Sequence, residues 1–382
     1  VDVTSPVKFL RRRRKPWAPI SDPSRTDPVH IALVTDAWAP QVNGVVRTLN
    51  ATVDAIRARG HVVTVVSPDM FPSLSVGALL PGMRFAIPRG IGPYLNAANV
   101  VHIATEGPLG HAAKLFCDVR RIPYTTAYHT NYPEYLKTNF RVPVPIAYRY
   151  MRWFHRRSRS VLVPTMSMIG DLVGNGFRRC KLWGRGVDTN LFHPHRISND
   201  DIIVSRLLEG LPRPYWINVG RVSKEKGLDD FLKLDLPGTK IVVGEGPDME
   251  RLKRAYPDTK FVGKQVGHKL AAFYRHSDVF VFPSRFDTFG LVNIEAISCG
   301  TPVAAFPVTG PIDIVEEGVT GSLNEDLKAA CLAALKLGRV HKDFSWDGPT
   351  DQFLDALIWR SPEEAHTLRY ADKPYDFLPP FG

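Results

Sequence analysis

The 382-residue chain is poor in several features that would each set its class. No apolar run approaches the 18 residues that a membrane-crossing helix needs. The four cysteines, Cys117, Cys180, Cys299 and Cys331, are scattered and form no C-x-x-C pair. Each is expected to be a small buried hydrophobe in a reducing cytoplasm. The arginines near residue 1 are followed by no apolar stretch, so a secretory signal is not expected. Acidic residues are outnumbered, 38 Asp and Glu against 49 Lys and Arg, for a net charge of +11. That imbalance points to an anionic partner: nucleic acid, anionic lipid or a phosphorylated substrate.

What is present describes a soluble globular protein, 44% hydrophobic and 23% charged, long enough for two domains. The positive charge is concentrated. Residues 1–28 hold seven Lys and Arg against three Asp, with five prolines, and read as a flexible basic arm. Residues 146–160 hold five arginines and no acid.

From Val29 onward the pattern changes to alternating strands and helices. Strands are expected at Val29–Thr35, His61–Ser67, Val100–Ala104, Tyr124–Tyr128 and Val161–Pro164. A second series follows at Tyr215–Val219, Lys240–Val243, Lys260–Val262, Val279–Phe282 and Pro302–Phe306. Strand–helix alternation means parallel, doubly wound α/β sheets, here two Rossmann-like halves. The expected division is a basic arm at 1–28, a first half at 29–195, a second at 196–343, and a terminal helix and surface-crossing tail at 344–382. The polar run from Leu191 to Asp201 reads as the linker.

The most informative stretch is Phe282–Pro302. A buried strand feeds a polar loop with Arg285 and Asp287, then Gly290 opens an apolar helix over Leu291–Ser298. A strand, a glycine loop and a helix N-terminus together make an anion site, because free N–H groups and the positive end of the dipole face the ligand. Asp287 and Glu295, eight residues apart, can both face one ligand. Phosphate held by backbone and hydroxyls held by carboxylates is what a sugar nucleotide requires.

Other candidates sit where strands end, the edge that lines the crevice of an open α/β sheet. Asn43-Gly44 lies between the first strand and first helix, where glycine allows close approach of a phosphate. Glu106-Gly107-Pro108-Leu109-Gly110 follows the strand at Val100, and either lines the cleft through Glu106 or opens a helix with an ordinary acid. Tyr128-His129-Thr130 follows the next strand in a polar cluster. Gly220-Arg221 and Lys226-Gly227 place two cations at the edge of the second half, suited to a diphosphate whose charge grows as a sugar leaves. Gly244-Glu245-Gly246-Pro247 is read first as a structural turn.

In order, the motifs are N-G, E-G-P-L-G, Y-H-T, G-R-x₄-K-G, G-E-G-P and D-T-F-G-x₄-E. They resemble those of family-4 retaining glycosyltransferases, over Val29 to about Leu337. The branch that they resemble holds bacterial lipid mannosyl-, glucosyl- and glucuronosyltransferases and sulfolipid synthases. The resemblance implies the GT-B architecture, with its ligand between the two halves. It further implies that His129 and Asp287 position the sugar hydroxyls, Glu295 holds the ribose, and Gly44, Arg221, Lys226 and the N–H groups of Phe289, Gly290 and Leu291 bind the diphosphate. Asn43, Glu106, Tyr128 and His129 are the cleft residues on the acceptor side. No residue stands out as a base, in keeping with front-face attack, a mechanism still debated for the family. No D-x-D occurs, and no obligatory metal or cofactor is implied. Thr309-Gly310-Pro311-Ile312-Asp313 departs from the Gly-Gly of many relatives in a loop that faces the donor, so sugar identity is left open.

The expected acceptor is a membrane lipid such as diacylglycerol, and the expected donor a UDP-sugar, with a GDP-mannose-dependent α-mannosyltransferase as the alternative. Pro145–Ser160 interleaves Tyr148, Tyr150, Trp153 and Phe154 with Arg149, Arg152, Arg156, Arg157 and Arg159, as an interfacial helix on anionic lipid would. Packing of its aromatics into the first domain is the other reading of this helix. Membrane-docked relatives carry a basic amphipathic helix here, which favours a peripheral position on the inner face of the plasma membrane. A non-enzymatic binder of anionic surfaces or nucleic acid would explain the basic arm but not two halves with sugar-nucleotide loops. An epimerase or a phosphorylase shares the architecture, but no pyridoxal-phosphate lysine motif is visible.

Overall fold

The computed structural model describes residues 28–41, 43–75, 84–86 and 88–358. They form two six-stranded sheets, parallel throughout, and one short antiparallel hairpin of Ser73–Ser75 with Arg84–Ala86. Across the first sheet the order is Val62–Val66, His30–Val34, Val100–Ile103, Thr125–Ala127, Val161–Val163 and Cys180–Leu182. Across the second it is Lys260–Phe261, Thr239–Val243, Tyr215–Val219, Val279–Phe282, Val303–Ala305 and Gly321–Leu323. The strands are short and rich in Val, Ile and Phe because helices cover both faces of each sheet; Ile31–Val34 and Val279–Val281 are fully buried.

Chain order reverses between His30–Val34 and Val100–Ile103 in the first sheet. In the second it reverses between Tyr215–Val219 and Val279–Phe282. At such points the loops after adjacent strands part, leaving a crevice at their carboxyl ends. The loops holding Asp36 and Glu106 follow the first pair, and those holding Arg221 and Asp287 follow the second.

Each expected strand is present, with no end shifted by more than one residue. Three expectations need correction. The run to Asp201 is not all linker: from Asn199 it is the helix Asn199–Leu208, started by a reciprocal capping box between Ser198 and Asp201. Asp201 also takes a buried ion pair from Arg275 at 2.7 Å, which ties this helix to the second half. The terminal helix, expected from residue 344, spans Asp347–Ala356 and returns to the first half. There Phe353 packs against His102 and Trp183, Gln352 accepts from the Gly184 N–H at 2.8 Å, and Asp351 pairs with Arg59 at 2.5 Å. The helix expected at Pro145–Ser160 spans Val144–His155. The arm at 1–27 and the tail at 359–382 lie outside the described residues.

Candidate functional site

The strand Val279–Phe282 delivers the loop Pro283–Phe289 to the crevice, and Gly290 turns it into the helix Leu291–Ser298. Gly290 is left-handed (φ +82°), and a Cβ there would fall 2.6 Å from Asn293 Nδ2 and 3.0 Å from Phe282 Cζ. Backbone and space both demand glycine. The Gly244–Gly246 turn is structural as expected: a Cβ at Gly246 would lie 2.2 Å from the Val222 carbonyl oxygen.

Four contacts bring the motifs together. Lys226 Nζ meets Asp287 Oδ1 at 2.6 Å. Thr288 Oγ1 donates to the carbonyl of His129, in the other half, at 2.8 Å. A Cβ on Gly44 would touch Leu291 Cδ1 at 3.8 Å, so the first-half glycine faces the start of the second-half helix. Arg47, three residues after Gly44 on the same helix face, forms an ion pair with Glu295. Arg221 is exposed at the same edge. Asn43 caps the first helix, its Oδ1 accepting from the Val46 N–H at 3.0 Å.

Glu295 is 1% exposed, and both carboxylate oxygens are engaged, one by Arg47 and the other by the Tyr274 hydroxyl at 3.1 Å. Burial raises its pKa, opposed by the Arg47 guanidinium. His129 is held neutral: burial pushes its pKa well below the usual histidine range, and the nearby Arg185 and His102 push the same way. Its Nε2 and the Oδ2 of Asp287 are buried and have no hydrogen-bond partner among the described residues. Both amide atoms of Asn293, under Gly290, share that condition. Unpaired buried polar atoms are costly, and His129 and Asp287 present theirs from loops of opposite halves.

Two residues expected in the cleft turn inward instead. Glu106 is 8% exposed and lies 3.3 Å from His155 Nε2. Tyr128 is fully buried, packed with Tyr148, Met151 and Phe177, and its hydroxyl reaches Asn131. The loop Thr309–Asp313 lies against the Asp287–Phe289 loop and also grips the first half. Asp313 accepts from the Ser167 N–H at 3.0 Å, and Thr309 meets Asp171 at 3.3 Å.

The sequence reading missed Arg47, Tyr274, Thr288 and Arg185. For Arg47 a signal existed, its place one helical turn after Gly44. Arg185 was hidden because the short strand Cys180–Leu182 that delivers it was not recognised.

Two Rossmann-like halves with facing loops at their switch points define the GT-B class of glycosyltransferase. The chain belongs to glycosyltransferase family 4. The family model described as Glycosyltransferase Family 4 matches residues 42–191, and that described as Glycosyl transferases group 1 matches residues 213–338. The chain is 30% identical to the GDP-mannose-dependent alpha-mannosyltransferase of Mycolicibacterium smegmatis, over 77% of this chain and 84% of that one. It is 31% identical to the sulfoquinovosyl transferase SQD2 of Arabidopsis thaliana, over 80% and 66%. The alpha-monoglucosyldiacylglycerol synthase of Streptococcus pneumoniae is 25% identical over 80% and 78%. Among solved structures, sucrose-phosphate synthase from Thermosynechococcus elongatus superposes with a TM-score of 0.65 at 21% identity, covering 90% of this chain and all of that one. That likeness shows the fold.

Proposed function

We propose that the protein is a retaining hexosyltransferase that moves a sugar from a nucleoside diphosphate to a membrane lipid of the diacylglycerol kind, with no obligatory metal. The observation that carries this reading is the pairing of His129 Nε2 with Asp287 Oδ2, one donor and one acceptor, buried and partnerless, from opposite halves. A sugar ring placed between the halves offers hydroxyls to both. Arg221 and Lys226 then stand for the diphosphate, and Glu295 for the ribose once Arg47 yields one oxygen. Catalysis in this reading is orientation plus stabilisation of the charge on the departing diphosphate.

The acceptor reading rests on the outer surface of the first half. The helix Val144–His155 buries Ala147, Met151 and Phe154 and turns Ile146, Arg149, Tyr150 and Trp153 outward. Leu115 and Val119 are exposed on the helix Pro108–Arg120, and His111 from that helix stacks on Trp153. Core packing and an interfacial face are thus two sides of one helix. Arg152 is less suited to lipid, since it donates to the Asn175 carbonyl at 2.7 Å, and Arg157 pairs with Asp118 at 3.4 Å. Arg149 and Arg156 are exposed. This face supports a peripheral position on the inner surface of the plasma membrane.

The sequence reading favoured a UDP-sugar; the mannosyltransferase relatives favour GDP-mannose. A thermal-shift comparison of UDP- and GDP-sugars tests both, since a ligand that binds only the folded state at 100 times its Kd adds about 2.7 kcal/mol. A raised Tm with one base identifies the donor, and no shift with any nucleotide sugar contradicts the proposal.

A further inference from the structure

Arg185 is a buried guanidinium with no role in the function proposed above. It lies between Gly184 and Gly186, just past the strand Cys180–Leu182, and is 6% exposed. No carboxylate among the described residues forms an ion pair with it. Its Nη1 donates to the carbonyls of Trp183 and Gly184, and the guanidinium sits 4.3 Å from the centre of the Trp183 ring. Its Nη2 lies 3.4 Å from Nδ1 of His129. Burying an arginine without a counter-charge is costly and needs a compensating role.

A guanidinium has donors only, so Nδ1 of His129 has to be the acceptor. In a neutral imidazole the proton then resides on Nε2. We infer that Arg185 is a positioning residue that locks His129 in the neutral tautomer with Nε2–H, so that this side chain donates a hydrogen bond to an oxygen of the transferred sugar and cannot take up a proton from the acceptor. The role toward sugar rests on the function proposed above; the tautomer rests on the geometry alone.

The surroundings agree. The Trp183 ring meets His129 edge-on at 5.3 Å. From the strand Val100–Ile103 the nearby titratable group is His102, whose own pKa burial takes down to about 3. From the second half Thr288 holds the His129 carbonyl, and its neighbour Asp287 is already paired with Lys226. Burial, Arg185 and His102 all disfavour the imidazolium.

The test is nitrogen-15 NMR of histidine-labelled protein, with the His129 signals assigned by their loss in His129→Gln. In the wild type we expect an unprotonated, pyridine-like Nδ1 and a protonated, pyrrole-like Nε2, unchanged from about pH 5.5 to 8. Arg185→Met should release the ring to mixed tautomers and let it titrate toward the ordinary value of about 6.5. It should also add an acid-side fall to the kcat/KM profile, and Arg185→Lys should restore the wild-type profile in part. A wild-type spectrum with Nδ1 protonated, or a cationic ring at pH 7, would overturn the inference whether or not the variants fold. An Arg185→Met spectrum identical to wild type would overturn it too. The expected wild-type spectrum in a protein that binds no nucleotide sugar would retire the transferase reading and leave the tautomer assignment standing.

Discussion

Arg47, on the first helix of the first half, is ion-paired with Glu295, buried in the second. The pair spans the crevice and occupies the carboxylate assigned to the donor ribose. Glu295→Ala should lower donor affinity by roughly 10–150-fold, the worth of charge-assisted bonds at about 1.5–3 kcal/mol. Arg47→Ala should leave Glu295 with Tyr274 alone and cost about 1–3 kcal/mol of stability, the penalty of an under-satisfied buried group. Calorimetric titration of the donor and urea unfolding measure the two. Donor affinity within twofold of wild type in Glu295→Ala would remove that residue from the site.

In the proposed function Lys226 and Arg221 stabilise the diphosphate; in the structure Lys226 is held at 2.6 Å by Asp287. Each alanine variant should lower kcat/KM by about 10²–10³, as loss of one preorganised group facing developing charge does. Steady-state kinetics check this, and near-normal turnover in both variants would move the diphosphate elsewhere.

His102 makes stability depend on pH. Its pKa is near 6.5 when unfolded and about 3 in the folded state, because burial disfavours the charged ring. The depressed value means that stability is fully present above pH 6.5 and is lost as pH falls toward 3. The loss should run at about 1.4 kcal/mol per pH unit from this group. His102→Gln should flatten the wild-type unfolding curve by that slope between pH 4 and 6, and parallel curves would contradict the buried neutral ring.

These predictions depend unequally on sequence. Strand ends were legible where long apolar runs met glycine, as at Val279–Phe282 and Gly290, because a strand buried on both faces leaves a continuous signal. The strands Cys180–Leu182 and Gly321–Leu323 were not, being three residues long at sheet edges. Loop positions at strand ends were placed correctly, but side-chain direction was not: Glu106 and Tyr128 follow strands as His129 does, yet turn into the core. Direction there is set by distant partners such as His155 and Phe177, which a linear pattern does not show. The pairing of Arg47 with Glu295, 248 residues apart, belongs to the same class.

Membrane docking should depend on Arg149, Trp153 and Arg156, three exposed residues of the basic aromatic segment. Each arginine near an anionic surface contributes about 1 kcal/mol, and the attraction fades with salt as charges are screened beyond about 8–10 Å. Sedimentation with phosphatidylglycerol vesicles should exceed that with phosphatidylcholine and fall about 10-fold or more in Arg149→Glu/Arg156→Glu. Equal binding to both vesicle types would leave the helix as core packing and reopen a soluble acceptor.

The most direct measurement offers the protein labelled GDP-mannose and UDP-glucose with diacylglycerol in phosphatidylglycerol vesicles, in EDTA, and follows the label into the organic phase. Label from one donor should appear on lipid with its α configuration retained and at a rate that EDTA leaves unchanged. Label that stays aqueous with every nucleotide sugar and lipid acceptor, or a β-linked product, or activity abolished by EDTA and restored by Mg²⁺ or Mn²⁺, would contradict the proposed function.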